Sequence, residues 1–269
     1  MRMGSLLLSD ISEMVTEQFE YGELLQQMVK RDLLLRYKQT AMGFAWAVFM
    51  PLVNTAIFSV IFTRVAPIQT DVPYPVFAYC GLAAWNFFAS ALKFSLNSLT
   101  SNTNLVTKVY FPREIFPVSA VVVSLVDFAV SSIVLIGMMI FYRVHVGLPV
   151  VLLPLIIVVQ LLFTVAMALL LSMWNLFYRD IKYLFEVVIV VWMFATSVVY
   201  PVSLVGGRMG TLMRLNPMTP IVEAYRAVLL TGSWPSAVPL ACVAAFSLVF
   251  LIGAWLLFHR AEFQFAENI

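Results

Sequence analysis

The chain reads as an all-α membrane protein, and three observations carry that expectation. Hydrophobic residues make up 62% of its 269 positions and charged ones only 11%, with a mean hydropathy of +0.95. A soluble domain of this length could not hide so much apolar surface. The apolar residues fall in unbroken runs rather than the alternation of a transmembrane barrel, so helices are expected. A span takes about 20 residues, which leaves room for six, at about 43–63, 76–100, 116–142, 148–177, 183–204 and 236–258. The organisation expected is residues 1–42 before the membrane, a six-span region over 43–258 and a tail over 259–269.

The segment before the first span is amphipathic. On a helix, Tyr21, Leu24, Leu25, Met28 and Leu35 share one face, while Glu23, Gln26, Gln27, Lys30, Arg31 and Lys38 share the other. That pattern suits a helix lying in a membrane interface with its basic side among headgroups. Nothing before it has the form of a secretory signal, because the short apolar Leu6–Leu8 is followed at once by Asp10, Glu13 and Glu17. Orientation follows from the cations. With the N-terminus inside, Arg2, Lys30, Arg31, Arg36, Lys38, Lys108, Arg113, Arg179, Lys182 and Arg260 lie inside. Arg64, Arg143, Arg208, Arg214 and Arg226 lie outside, so both termini are expected to be cytoplasmic. A net charge of +2 is too small to indicate nucleic acid.

The second span is unlike the rest. Asn86, Ser90, Lys93, Asn97 and Ser101 form one polar stripe on an otherwise apolar helix, and such a stripe must face protein or water. The third span carries Ser124, Asp127 and Ser131. Lys93 and Asp127 lie at similar distances from the turn between the two spans. A salt bridge between them and direct substrate contact are the two readings. The loop NLVTKVYFPREIFP, Asn104–Pro117, brackets Arg113 and Glu114 with prolines, predicting a short helix or turn ending near Pro112. It is either an ordinary loop or a docking element with exposed charges.

The fourth span ends in WNLFYRDIKY, where Trp174, Tyr178 and Tyr183 are expected interface anchors and Arg179, Asp180 and Lys182 mark a tight turn. After the fifth span, Thr211–Leu230 is too charged and broken to cross. Two half-inserted helices broken around Asn216–Pro220 are expected, with Arg214 and Pro217 at the break and Glu223 paired to Arg226 on one face.

Several chemistries have no residues to carry them. GGRMG lacks the lysine and hydroxyl residue of a phosphate loop. His145 and His259 fall on opposite sides of the membrane, and no carboxylates or thiols have ligand spacing. Cys80 and Cys242 read as small core residues. No metal or cofactor is expected on this chain, so energy for transport would come from another polypeptide.

Taken in order, KRDLLLRYKQTAMGFAWAVFMP, NLVTKVYFPREIFP, FYRDIKY, NPMTPIVEAYR and the terminal FAENI resemble the permease subunit of type-two ABC exporters for cell-surface polysaccharides. The resemblance covers nearly the whole chain. It implies two copies of this subunit with two copies of a separate cytoplasmic ATPase that holds ATP and Mg, in the bacterial inner membrane. Lys108, Pro112, Arg113 and Glu114 would dock or gate, with Tyr178, Arg179 and Asp180 near the ATPase. The Thr211–Leu230 segment would shape the exit. Candidate channel-lining residues are Phe44, Trp46, Trp85, Phe88, Trp192 and Tyr200, together with Asn86, Ser90 and Asn97 of the stripe. Lys30, Arg31, Arg36 and Lys38 would attract the phosphates of a lipid-linked polysaccharide, with O-antigen as the expected polymer. Capsular polysaccharide and teichoic acid exporters share this architecture. A proton-coupled transporter built on Asp127 and a transferase built on Asp180 or Glu223 are the rival classes.

Overall fold

The structure, a computed structural model, describes residues 21–38, 43, 45–108 and 111–265, with only the backbone of Lys108. All regular structure among these residues is helical. The helices are α1 Gly22–Tyr37, α2 Ala45–Val60, α3 Tyr74–Ser98, α4 Thr103–Lys108 and α5 Ile115–Phe141. They continue as α6 Leu153–Phe177, α7 Ile181–Phe194, α8 Gly207–Leu215, α9 Met218–Arg226 and α10 Ala237–Ala261. Prolines punctuate the starts: Pro73 precedes α3, Pro75 and Pro117 occupy first turns, and Pro154 opens α6. Their missing N–H groups cost nothing there, because first-turn donors have no helical acceptor.

Five helical segments are long and apolar enough to cross a membrane, at Ala45–Val65, Tyr74–Ser98, Ile115–Phe141, Leu148–Phe177 and Ala237–Gln264. The expected span at 183–204 differs. Its helix, α7, has 14 residues, about 21 Å long at 1.5 Å per residue, and the chain leaves it at Ala195 for a run of turns. Thr196, Pro201 and Gly206 follow closely in the sequence, and none of the three favours helix continuation.

The bundle is built around α3, the most enclosed of the five, which packs against α2, α5, α6 and α9, while α10 packs on α6. Leu82, Phe88 and Leu92 of α3 meet Ile156, Val159 and Phe163 of α6 in the main core. A second core lies at the end where α5 begins. There Met28 of α1, Leu99, Phe116, Leu169, Phe258 and Phe265 meet. Packing among lipid-bathed helices gains little from the hydrophobic effect, so interhelical hydrogen bonds matter more. Gln160, fully buried, donates to the Ala84 carbonyl at 2.8 Å and accepts from the Tyr225 hydroxyl at 2.8 Å. Asn175 donates to Leu96 O at 2.8 Å. Tyr79 reaches Ser131 on α5, with its hydroxyl 2.9 Å from Oγ.

Two expectations are corrected here. Cys80 is buried as expected, but Cys242 is exposed on α10, because its position falls on the face of that helix turned away from α6. The apolar face assigned to α1 holds only through Met28. Beyond it the packed residues are Asp32, Arg36 and Tyr37, while Leu35 is 74% exposed. Partners on α5 decide this, not the periodicity of α1.

Gln160→Leu should leave the Ala84 carbonyl without its donor and Tyr225 without its acceptor. A loss of roughly 1–3 kcal/mol is expected for such orphaned groups. Thermal unfolding of the purified, detergent-solubilised protein would show it as a lowered midpoint, with Ser247→Ala as a milder comparison.

Candidate functional site

The polar stripe of the second span is where α3 is open. Asn86 and Ser90 are partly exposed and Lys93, Asn97 and Ser101 are exposed, while the helix's other faces are buried. Three hollows follow this line. One of about 420 Å³ is lined by Trp46, Asn54, Asn86, Ser90, Phe94 and Asp127. A second of about 320 Å³ adjoins it through Arg36 and Phe94 and adds Asp32, Asn97, Ser101 and Asn102. A third of about 300 Å³ shares Asn97 and adds Thr100, Asn175, Arg179 and Lys182. The stripe therefore runs as one side of a groove from the 178–182 turn to the middle of α3.

The wall facing it is set by one carboxylate. Asp127 lies 12 residues into α5, about 18 Å along its axis, where an unpaired charge would be costly. Lys93 does not meet it, so the expected Lys93–Asp127 bridge is not formed. Instead Arg36 Nη1 donates to Asp127 Oδ2, and the Tyr37 hydroxyl donates to Oδ1. Lys93 points out of the open face of α3, whereas Asp127 points at α1, and that difference in direction decides the pairing. The Arg36 guanidinium also lies 3.6 Å from the centroid of the Phe94 ring, within cation–π range. One helical turn back, Asp32 Oδ2 is 3.2 Å from the Ser119 hydroxyl. Asp32 with Ser119 and Arg36 with Asp127 thus align α1 along α5.

The expected basic headgroup set is consequently divided. Lys30 and Lys38 are exposed. Arg31 is bound to its neighbour Asp32, with Nη2 to Oδ1 at 2.8 Å, and Arg36 is committed to Asp127. Phe44 lies outside the described residues. Among the aromatic candidates, Trp46 is 41% exposed and lines the groove. Trp85 and Phe88 are buried, packed with Phe163 and Trp192 at centroid separations of 5.2–6.3 Å. Those two rings form core inside one chain and line no groove, which corrects their assignment as channel wall. The ring that the stripe does expose is Phe94, absent from the expected set although it falls between Lys93 and Asn97.

The charges at 112–114 also turn inward. Glu114 is 1% exposed and its Oε1 accepts from Trp255 Nε1 at 3.1 Å. The Arg113 amide donates to Glu262 Oε1 at 3.1 Å, and its guanidinium to the Glu262 carbonyl at 2.6 Å. Pro112 is buried beside them. The expectation of outward-facing charges therefore fails for Glu114, because the C-terminal helix covers it. Lys108 ends α4, and its side chain lies outside the described residues. Tyr178, Arg179 and Asp180 are exposed at the tight turn, which has the form expected.

At the far end, the break falls at Asn216–Pro217. Asn216 ties it: Oδ1 accepts from Trp192 Nε1 at 3.0 Å and from the Met218 amide at 3.1 Å, and Nδ2 donates to Thr196 Oγ1 at 2.7 Å. Tyr200 donates to the Phe194 carbonyl. Arg226 does not pair with Glu223 as expected. Its guanidinium donates to the Ser197 and Val198 carbonyls and stacks 3.7 Å from the centre of Phe77. Glu223 and Arg214 remain exposed. Three residues apart on a helix is close enough to pair, but the loop after α7 offers Arg226 two buried carbonyls. Gly81 makes room for this, since a Cβ there would stand 2.4 Å from Arg226 Nη2 and 2.3 Å from the Val198 oxygen.

Five helices long and apolar enough to cross a membrane, with a polar, partly aromatic groove beside a paired carboxylate, define a polytopic membrane protein with a polar path along one helix. The chain belongs to the ABC-2 type transporter family, whose model matches residues 23–230. It is 31% identical over 259 residues to the O-antigen export system permease protein RfbA of Myxococcus xanthus, covering 95% of this chain and 99% of that one. It is 27% identical over 246 residues to the RfbA permease of Klebsiella pneumoniae, covering 91% and 94%.

Asp127→Leu should strand the Arg36 guanidinium, and Arg36→Met should strand the carboxylate. Each is expected to cost roughly 1.5–3 kcal/mol, as for hydrogen bonds to charged groups. The double variant should lose less than the sum of the two. Thermal unfolding of all four proteins measures the coupling, and simple additivity would show that the pair is energetically idle.

Gly81→Ala should unseat Arg226 and free the 195–206 segment. The expected readout is faster proteolysis within that segment while α3 and α6 stay protected.

Proposed function

We propose that this chain is the channel-forming permease of an ATP-driven exporter that moves lipid-linked O-antigen polysaccharide across the bacterial inner membrane. The observation that carries this reading is the polar stripe, open along α3 within an otherwise enclosed helix. In a membrane, Asn86, Ser90, Lys93 and Asn97 must be covered by protein or water. Two copies facing each other across a hydrated path would cover them with both. The names of the relatives supply the polymer. The chemistry suits it, because sugar hydroxyls exchange hydrogen bonds with Asn and Ser side chains while their CH faces stack on rings such as Trp46 and Phe94.

In this reading both termini are cytoplasmic, and α7 with the 195–206 turns makes the sixth crossing. The α8–α9 pair re-enters the outer leaflet and shapes the exit. Two copies of a cytoplasmic ATPase hold the ATP and Mg that this chain does not bind. They meet Tyr178–Asp180 and the 112–114 turn. The lipid-linked phosphates arrive at Lys30 and Lys38, whose ammonium groups are exposed, and Arg31 and Arg36 lie next along α1. Burying Arg36 against Asp127 makes it a structural cation in the resting chain. Asp127 is committed to Arg36 and Tyr37, and Asp180 and Glu223 stand at opposite ends of the bundle.

Deleting the gene should trap finished polymer inside the cell, and normal surface polymer in the deletion strain would refute the assignment. Ser90→Trp and Asn97→Trp should each fill the groove and abolish surface polymer in a complementation assay while membrane levels of the protein stay unchanged. Phe49→Trp, on an exposed position of α2 outside the groove lining, should export normally. Neutralising Arg31 and Arg36 together should impair export with insertion intact.

A further inference from the structure

The 112–114 turn and the C-terminal end of α10 enclose a group of donors that the export reading does not use. Glu114, His259 and Glu262 each offer one ligand atom, all within 4.8 Å of one another. His259 Nδ1 stands 3.6 Å from Glu114 Oε1 and 3.8 Å from Glu262 Oε2. These separations exceed a hydrogen bond. They come close to the spacing of two donors sharing one ion: at about 2.0–2.1 Å from a tetrahedral centre, neighbouring ligands lie about 3.3 Å apart. A second, separate sign is Glu114 Oε2, which is buried and takes no hydrogen bond from the described residues. A buried, unsatisfied carboxylate oxygen is costly unless something positive meets it.

The surroundings have the form of an outer shell. Trp255 Nε1 holds Glu114 by its other oxygen, and the Arg113 amide holds Glu262 by Oε1. Glu262 is thus oriented through Oε1 with Oε2 on the His259 side, while Glu114 meets both Trp255 and His259 at Oε1 and keeps Oε2 without a donor. Outer partners of this kind orient metal ligands. One imidazole and two carboxylates form a borderline donor set suited to zinc-like ions rather than to calcium.

We propose that Glu114, His259 and Glu262 form a binding site for a divalent transition-metal ion of zinc's class, which staples the 112–114 turn to the end of α10. Its bonds would link Glu114 to Glu262, 148 residues apart in the sequence, joining the turn that opens α5 to the C-terminal segment. The site stands whether or not the chain exports polysaccharide, so its test is separate from transport.

The full chain, purified without a polyhistidine tag and placed in lipid nanodiscs, is titrated with Co²⁺ and with Zn²⁺. A Cys242→Ser background removes the exposed thiol as a competing ligand. One ion per chain is expected, with the visible absorption of four-coordinate Co²⁺ bleached by Zn²⁺. Trp255→Phe should weaken binding by about tenfold, the lower range for loss of an outer partner, and His259→Gln and Glu114→Gln should weaken it by at least that much. Absence of stoichiometric uptake overturns the site. Uptake unchanged in both His259→Gln and Glu114→Gln overturns it equally. Should Glu114→Gln fail to fold, the partly exposed His259 variant decides alone.

Discussion

Asp127 has to be neutralised where it stands, and much of the groove's architecture follows from how that is done. A carboxylate deep in an apolar helix needs a cation within reach. The one that reaches it comes from α1, 91 residues earlier in the chain. To deliver Arg36 and Tyr37, α1 must run beside α5, turning its polar residues inward and its late leucines out. That placement brings α1 against one side of the α3 stripe and makes Phe94 the ring on which the guanidinium rests. The amphipathic helix α1 and one wall of the groove are thus the same element, held to α5 by this ion pair and by Asp32 on Ser119.

The rest of the bundle obeys the same requirement at smaller scale. Gln160 and Asn175 each place an amide against a carbonyl of α3, Asn216 ties the α8–α9 break to α7, and Arg226 serves the carbonyls that α7 leaves when it stops. Each exists because a polar group away from water must find a partner inside the protein. The result is an inner scaffold of α3, α5, α6 and α9 stitched by hydrogen bonds, with α2, α7 and α10 presenting apolar surface outward.

The helical class, the extent of most spans and the stripe on α3 were legible because they rest on composition and periodicity, which neighbours do not alter. The tight turn at Tyr178–Asp180 and the break near Asn216–Pro217 were legible from local chemistry. Partners were not. Lys93 and Asp127 match in depth, and Glu223 and Arg226 match in spacing, yet neither pair forms, since depth and spacing say nothing of the direction in which a side chain leaves its helix. Trp85 and Phe88 were indistinguishable in sequence from wall aromatics, and only the packing of Phe163 and Trp192 against them shows that they are core. Tyr37, Gln160 and Phe94 carried no sequence signal strong enough to single them out.

By itself, then, the sequence determined that this chain is a helical, multi-span membrane protein with a polar line through its second span and no phosphate loop. Those properties are sums over many residues or properties of a single helix. The tertiary structure alone decided which charges pair, which rings are covered, and that Glu114, His259 and Glu262 converge. Such facts depend on the relative rotation of helices far apart in the chain. That rotation is set by the combined demand of every buried polar group for a partner, and no short stretch of sequence contains it.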